Sequence, residues 1–151
     1  MLRLGPQLAE KELMTGRKPL LQALVLADYV YSDKTTGKKI ICGTFNRIWG
    51  SDFPTQFGRS TFAYFSLTEI QGEVEISLRW VDLATSQVLM HTKQLKIKSS
   101  SPLATVELAA EIPGFPMPHP GDFAFEVHWQ GQMLGSHRVA VAKRQGEKHH
   151  G

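Results

Sequence analysis

The sequence lacks the features that mark several large protein classes. It has one cysteine, Cys42, so no internal disulfide can form and no oxidising compartment is required. Uncharged apolar runs such as Ala23–Ala27 are short, and none approaches the roughly 20 residues that a membrane-spanning helix needs. The N-terminus carries Gly5, Pro6 and two glutamates where a signal peptide would have an apolar segment. These absences predict a cytoplasmic protein.

Motifs for catalysis and for cofactor binding are also missing. The sequence contains neither G-x-G-x-x-G nor G-x-x-x-x-G-K-[ST], so no phosphate-cradling loop is expected. Cys42 follows the apolar residues Ile40 and Ile41 and has no histidine or aspartate motif beside it, which favours core packing over a nucleophile. We therefore expect no cofactor and a protein that is not an enzyme.

Basic residues are concentrated at the two ends of the chain. The net charge is +3, yet residues 1–19 and residues 143–151 each carry +2, and residues 20–142 carry −1. A nucleic-acid-binding domain more often has its basic face on the folded body, so no nucleic-acid partner is expected. We predict an arm over 1–19, flexible or with a short helix at Leu8–Met14, a domain over 20–142 and a flexible tail over 143–151.

Alternating apolar and polar residues flank two glycine-centred turns. Leu24–Ile48 alternates around Thr36-Gly37, and Gly121–Arg138 alternates around Gly131, which predicts two β-hairpins. Helical periodicity is absent after Leu20. The chain therefore predicts an all-β fold, a two-sheet antiparallel β-sandwich of immunoglobulin-like type, with an open barrel as the alternative. About eight strands are predicted, at 22–32, 39–49, 59–69, 73–83, 87–98, 103–112, 122–130 and 133–142.

The opening hairpin carries three short motifs. They are A-D-x-V at Ala27–Val30, D-x-x-T-G-K at Asp33–Lys38 and G-x-F-N-R-I at Gly43–Ile48. In these motifs the chain resembles a family of small bacterial all-β proteins of unknown function, and the likeness covers about residues 22–142. The resemblance implies an all-β fold and a bacterial origin, and it implies no activity.

Asp28 is unusual because it lies on an otherwise apolar strand face with Leu26 and Val30. One interpretation is a buried lock that pairs across the hairpin with Arg47 and fixes the register of the first two strands. The other is an acid in a pocket, since perturbed acids cluster at functional sites. In that case Asp28, Asn46 and Arg47 form the site of a small-ligand-binding protein or an enzyme.

The third predicted strand is apolar on both faces. Phe62 and Tyr64 lie on one face, and Ala63 and Phe65 lie on the other. Both faces cannot point at one core, so either the strand is covered on both sides or one face is an exposed patch for a partner. The leading hypothesis is therefore a protein-binding or self-associating module that uses a sheet face or edge.

The closing hairpin suggests a metal site. If Gly131-Gln132 forms the turn, Glu126 faces His137, and His128 lies on the same side. One carboxylate and two imidazoles are ligand types that zinc accepts. A metal-binding domain using Glu126, His128 and His137 is thus a second alternative, and a cross-strand ion pair on a solvated face is the competing interpretation.

Overall fold

The described part of the chain, residues 17–145 in a computed structural model, consists of β-strands without helices. The predicted all-β class is confirmed, whereas the predicted helix at Leu8–Met14 lies outside the described residues. Within residues 17–145, no helix is long and apolar enough to cross a lipid bilayer. The strands are β1 Leu20–Ser32, β2 Lys39–Thr44, β3 Arg47–Gly50, β4 Thr55–Phe57, β5 Thr61–Thr68, β6 Gly72–Asp82, β7 Gln87–His91, β8 Leu95–Ser99, β9 Val106–Ile112, β10 Phe115–Met117, β11 Gly121–Trp129 and β12 Gln132–Lys143.

The expectation of about eight strands is wrong, because the described residues form twelve. The predicted strand 39–49 divides at Phe45-Asn46 into β2 and β3, which belong to different sheets. The predicted strand 87–98 divides into β7 and β8, because the Thr92 hydroxyl accepts a hydrogen bond from the Leu78 N–H at 3.0 Å and interrupts the ladder. β4 and β10 lie in two segments, between predicted strands, for which the sequence predicts no strand.

Two main sheets organise the fold. One has the order β2-β1-β5-β9, and the other has the order β3-β12-β11-β6-β7, with β8 also paired to β6. β4 and β10 form a separate two-stranded sheet. The expectation of purely antiparallel pairing is wrong at one place, since β3 pairs with β12 in parallel. The other pairs are antiparallel.

The opening hairpin forms where the sequence predicts it. Its turn is closed by Asp33, whose Oδ1 accepts hydrogen bonds from the N–H groups of Thr35 and Thr36 at 2.8 and 3.0 Å. Gly37 supplies the left-handed φ of 75° that the turn requires. The pairing then runs from Ser32 opposite Lys39 toward the body of the sheet.

One hydrophobic cluster joins the inner faces of both sheets. Leu26 and Phe65 contribute from the first sheet, and Trp80 and Phe125 contribute from the second. The Trp80 indole lies 5.1 Å from the ring of Phe123 in a stacked arrangement. Burial of these large apolar groups is the main stabilising contribution, at roughly 25 cal/mol per Å² removed from water.

The chain crosses from one sheet to the other at Phe45-Asn46. The Phe45 N–H still donates to the carbonyl oxygen of Leu26 in β1, at 3.2 Å. One residue later, the Asn46 carbonyl accepts from the Ala140 N–H in β12, at 2.9 Å. β2 and β3 are therefore consecutive edge strands of the two different sheets.

The closing hairpin turns one residue earlier than predicted. Its loop is Gln130-Gly131, with φ values of 48° and 79°, and two positive φ values are what a two-residue type I′ turn requires. This turn alone would place Glu126 opposite Gly135, but a β-bulge between Val127 and His128 shifts the register by one residue. Glu126 therefore pairs with Ser136, and the predicted pairing of Glu126 with His137 is wrong.

Candidate functional site

A cleft of about 410 Å³ opens where the chain crosses between the sheets. Its lining combines arginine and aromatic residues with one acid. The charged and aromatic lining residues are Asp28, Phe45, Arg47, Trp49, Phe57, Arg59 and Arg144. Three arginines and one aspartate thus line the same cleft, and we call this feature the arginine cleft.

Asp28 reaches the cleft because of what lies opposite it on β2. Gly43 has a φ of 74°, and a Cβ at this position would lie 2.6 Å from Asp28 Oδ2. The carboxylate therefore packs against a residue that has no side chain. The Asp28 side chain is 40% exposed, so the expectation of a fully buried lock is wrong.

Arg59, which the sequence reasoning missed, is the ion-pair partner of Asp28. Its Nη2 lies 3.5 Å from Asp28 Oδ1, so the predicted pairing with Arg47 is not what the structure contains. Arg59 comes from the loop before β5. No local pattern in the sequence relates that loop to the opening hairpin.

Two of the arginines are held over aromatic rings. The Arg47 guanidinium carbon lies 5.6 Å from the centre of the Trp49 ring, and that of Arg59 lies 5.4 Å from the centre of the Phe57 ring. Such stacking fixes the direction of a long side chain while leaving its N–H groups free to donate. Trp49 is itself 50% exposed, which is unusual for tryptophan.

The third arginine comes from the C-terminal end of the domain. The backbone N–H of Arg144 donates to the Gly50 carbonyl at 2.6 Å, and Arg144 is among the lining residues of the cleft. Asn46 is exposed beside the cleft and uses its backbone carbonyl for β12. Of the three residues predicted to form a pocket, Asp28 and Arg47 line the cleft, and Asn46 is not among the lining residues.

The charged groups of the cleft are mainly hydrogen-bond donors. Guanidinium groups stay protonated and donate up to five hydrogen bonds each. Against the three arginines the lining has one carboxylate, that of Asp28. The arrangement is suited to an anion.

A second candidate surface is the outer face of the sheet β2-β1-β5-β9. Phe62 and Tyr64 both lie on it, as predicted, while Ala63 and Phe65 are buried in the core. Phe62 is half-buried beneath Tyr29, with 6.2 Å between ring centres.

Tyr64 does not form part of an exposed patch. It is almost buried, and its hydroxyl is hydrogen-bonded to Glu107. Burial, assisted by the neighbouring Glu107 carboxylate, raises the pKa of Tyr64. The Tyr64 side chain is therefore packed within the sheet and offers little exposed surface to a partner.

The exposed apolar groups of this face lie on the opening hairpin. Tyr29 and Tyr31 are 52% and 51% exposed, with their rings stacked at 5.9 Å. Ile40 pairs with Tyr31 and is also exposed. We call Tyr29, Tyr31, Ile40 and Phe62 the outer-face patch.

The structure does not bring the three proposed metal ligands together. His128 Nε2 lies 2.8 Å from Glu126 Oε1 on one face of β11. His137 pairs with the core-facing Phe125, so it lies on the opposite face, where its ring contacts the Phe45 carbonyl at 3.2 Å. In the part of the chain that the structure describes, no group of three or more His, Cys, Asp or Glu side chains is placed to hold a metal ion.

A pair of titratable groups that the sequence did not indicate, the partly exposed His119 and the buried Asp82, joins the segment between β10 and β11 to the end of β6. His119 Nε2 lies 2.6 Å from Asp82 Oδ2, and its Nδ1 lies 2.6 Å from the Pro120 carbonyl. The Pro120 carbonyl, and then Asp82, raise the pKa of His119, since both ring nitrogens face acceptors. Burial opposes ionisation of Asp82, but hydrogen bonds from His119 and the Ala84 N–H hold the pKa of Asp82 below its ordinary value.

These features define a twelve-stranded all-β domain with a cationic cleft at a sheet crossover. A family model described as "Family of unknown function (DUF6941)" matches residues 22–142, and the chain belongs to that family. No curated protein matches the sequence.

Two solved structures are similar to this chain at low identity. One is the alkylpurine DNA glycosylase AlkC of Pseudomonas fluorescens, bound to DNA with an abasic site analogue, at 13% identity and a TM-score of 0.47. The match covers 89% of this chain and 36% of the glycosylase chain. The other is an immunoglobulin-like protein of Pseudomonas aeruginosa, at 14% identity and a TM-score of 0.39, covering 82% of this chain and 96% of that one. Likeness at this level carries no conclusion about activity or ligand.

Proposed function

We propose that this protein is a non-enzymatic binding module that associates with a second copy of itself through the outer-face patch. The observation that carries the proposal is the stacked, half-exposed pair Tyr29 and Tyr31 beside Ile40. Clustered exposed aromatics are typical of protein interfaces, where tyrosine supplies large contact area at low entropic cost.

Charge complementarity supports a second copy as the partner. The turn at one end of the patch carries Lys34, Lys38 and Lys39 against the single acid Asp33. At the other side of the same outer face, β9 presents two carboxylates, Glu107 and Glu111. A two-fold axis through the patch places the basic turn of each copy against the acidic strand of the other.

The proposal is tested by sedimentation velocity on the full chain over a range of concentrations. We expect a monomer–dimer equilibrium at micromolar concentrations, as suits a small interface, and weakening by salt because charge pairs contribute. The double variant Tyr29→Ser with Tyr31→Ser should be monomeric. Met133→Ser is the matched control, since Met133 is equally exposed at 51% on the other sheet.

Two outcomes would contradict self-association. One is a wild-type protein that stays monomeric at every concentration, which would leave the patch to a different protein. The other is a double tyrosine variant that dimerises as well as the Met133→Ser control. A thermal melt of each variant shows that loss of the dimer is not loss of the fold.

We also infer that the sandwich is immunoglobulin-like. The support is that β5 and β6, and again β9 and β11, are in different sheets, as in the Greek-key connections of such sandwiches. The bacterial origin and cytoplasmic location expected from the sequence stay predictions.

A further inference from the structure

The arginine cleft contains more positive charge than its own residues neutralise. Arg47, Arg59 and Arg144 share the lining with a single carboxylate, that of Asp28, which lies 3.5 Å from Nη2 of Arg59. Guanidinium groups held in a concave site form strong bidentate hydrogen bonds with carboxylate or phosphate. The cleft lies on the inner side of β1, whereas Tyr29 of the outer-face patch lies on the other side, so the two surfaces are independent.

We propose that the arginine cleft binds a small organic anion that has a planar body. The oxyanion, a phosphate or a carboxylate, contacts the three guanidinium groups. The planar body stacks against the half-exposed Trp49. This ligand site goes beyond the self-association proposed above and does not depend on it.

Size and charge favour a small ligand over a polymer. The cleft volume of about 410 Å³ lies within the roughly 300–1,000 Å³ of small-molecule sites. Residues 17–145 carry 14 basic and 11 acidic residues, an excess of +3 that the three cleft arginines equal, so little positive charge is left for the extended basic face that a polyanion requires.

The aromatic lining favours a planar ligand. Phe45 and Phe57, with 6.4 Å between their ring centres, both line the cleft together with Trp49. Because Arg47 and Arg59 stack on Trp49 and Phe57 in the ligand-free protein, the orientation of their guanidinium N–H groups is already restricted before a ligand binds. Such preorganisation reduces the entropy lost on binding.

Asp28 competes with the ligand for Arg59. Its carboxylate is the only negative group in the lining, so replacing it by the isosteric amide raises the net charge of the cleft by one. Asp28→Asn should therefore tighten anion binding. A site for a cation, or one in which Asp28 acts as a base toward the ligand, predicts the opposite sign.

The test is a fluorescence titration of the full chain with phenyl phosphate, benzoate and inorganic phosphate, with phenol as the neutral control. Trp80 and Trp129 are buried, so quenching reports on Trp49. We expect saturable quenching by phenyl phosphate, by benzoate or by both, and the stronger of the two identifies the oxyanion. Phenol should bind at least tenfold more weakly.

Arginine variants locate the binding site. Arg47→Gln and Arg144→Gln should each weaken binding by about tenfold, the equivalent of one charge-assisted hydrogen bond. Arg138→Gln is the matched control, because Arg138 is exposed on β12 and does not line the cleft. Asp28→Asn should tighten binding a few-fold. The Tyr29→Ser, Tyr31→Ser variant should bind as wild type does.

Three results would overturn the proposal. The first is no saturable quenching with either organic anion, confirmed by calorimetry. The second is equal affinity for phenol and phenyl phosphate, which would make the cleft an apolar pocket. The third is weaker binding by Asp28→Asn, or unchanged binding by both cleft arginine variants.

Discussion

Gly43 and Gly37 offer a matched pair of substitutions that isolates the contact with Asp28. Their φ values are 74° and 75°, so replacement by alanine strains the backbone equally at both. A Cβ at Gly37 meets nothing within 4 Å. A Cβ at Gly43 would lie 2.6 Å from Asp28 Oδ2, 3.1 Å from its Cγ and 3.2 Å from its Cβ. The difference between the free energies of unfolding of the two variants therefore measures the cost of placing a side chain from β2 against the Asp28 carboxylate.

The expected magnitudes follow from these distances. Left-handed strain, partly offset by the lower entropy of the unfolded chain, makes Gly37→Ala cost about 1 kcal/mol. Gly43→Ala adds a displaced Asp28 rotamer, about 0.5–1.5 kcal/mol, and a weakened exposed ion pair, about 0–1 kcal/mol. We expect a total of about 1.5–3.5 kcal/mol for Gly43→Ala.

Urea unfolding of both variants gives the two free energies of unfolding, and a double-mutant cycle tests the cause. Asp28→Ala removes the carboxylate, so Gly43→Ala should cost only about 1 kcal/mol in that background. Equal costs for the two glycine variants would refute the reasoning. So would strict additivity of Gly43→Ala and Asp28→Ala.

Three further predictions concern single side chains. Asp28→Ala alone should lower the free energy of unfolding by at most about 1 kcal/mol, because its ion pair is half exposed. A loss near 4 kcal/mol in urea unfolding would instead favour the hypothesis that Asp28 is a buried lock. His119→Gln should lower the free energy of unfolding most between the ordinary pKa values of aspartate and histidine. Because the pKa of His119 is raised in the fold, its stabilising contribution is present at low pH and is lost as the pH rises through that pKa. Because the pKa of Asp82 is lowered in the fold, its stabilising contribution is present above the ordinary pKa of aspartate and is lost as the pH falls through the lowered pKa. Melting curves at pH 5.5 and pH 9 that show the same deficit would contradict this. Trp80→Phe should lower the free energy of unfolding, measured by calorimetry, by about 1–3 kcal/mol, because it leaves the Pro116 carbonyl without the 2.7 Å hydrogen bond from the indole N–H. A smaller loss would mean that a water molecule donates to this carbonyl instead.

The opening hairpin was predictable because its signals are local. Gly37 permits the turn, Asp33 closes it, and alternation on both arms sets which residues share a face. The same alternation placed Phe62 and Tyr64 together on one face of β5. Period-two patterning identifies strands and faces well, since it depends only on neighbours along the chain.

The arginine cleft was only partly predictable because it is assembled from distant segments. Alternation continues through Phe45-Asn46, so the pattern cannot show that the strand changes sheets there. Arg59 and Arg144 arrive from a loop and from the far end of β12. The register of the closing hairpin failed for a related reason, since alternation does not mark the β-bulge between Val127 and His128 that moves His137 to the other face.

The parallel pairing of β3 with β12 sets the order in which the domain can be assembled. Arg47 lies beside Ala140, and Gly50 lies beside Lys143, so an early segment has its partner in the last strand of the described domain. While the chain is still emerging from a ribosome, β1, β2 and β5 can already pair, but β3 has no neighbour. The cleft is therefore the last part of the molecule to be completed, and a nascent chain acquires it only when the whole domain is free to close.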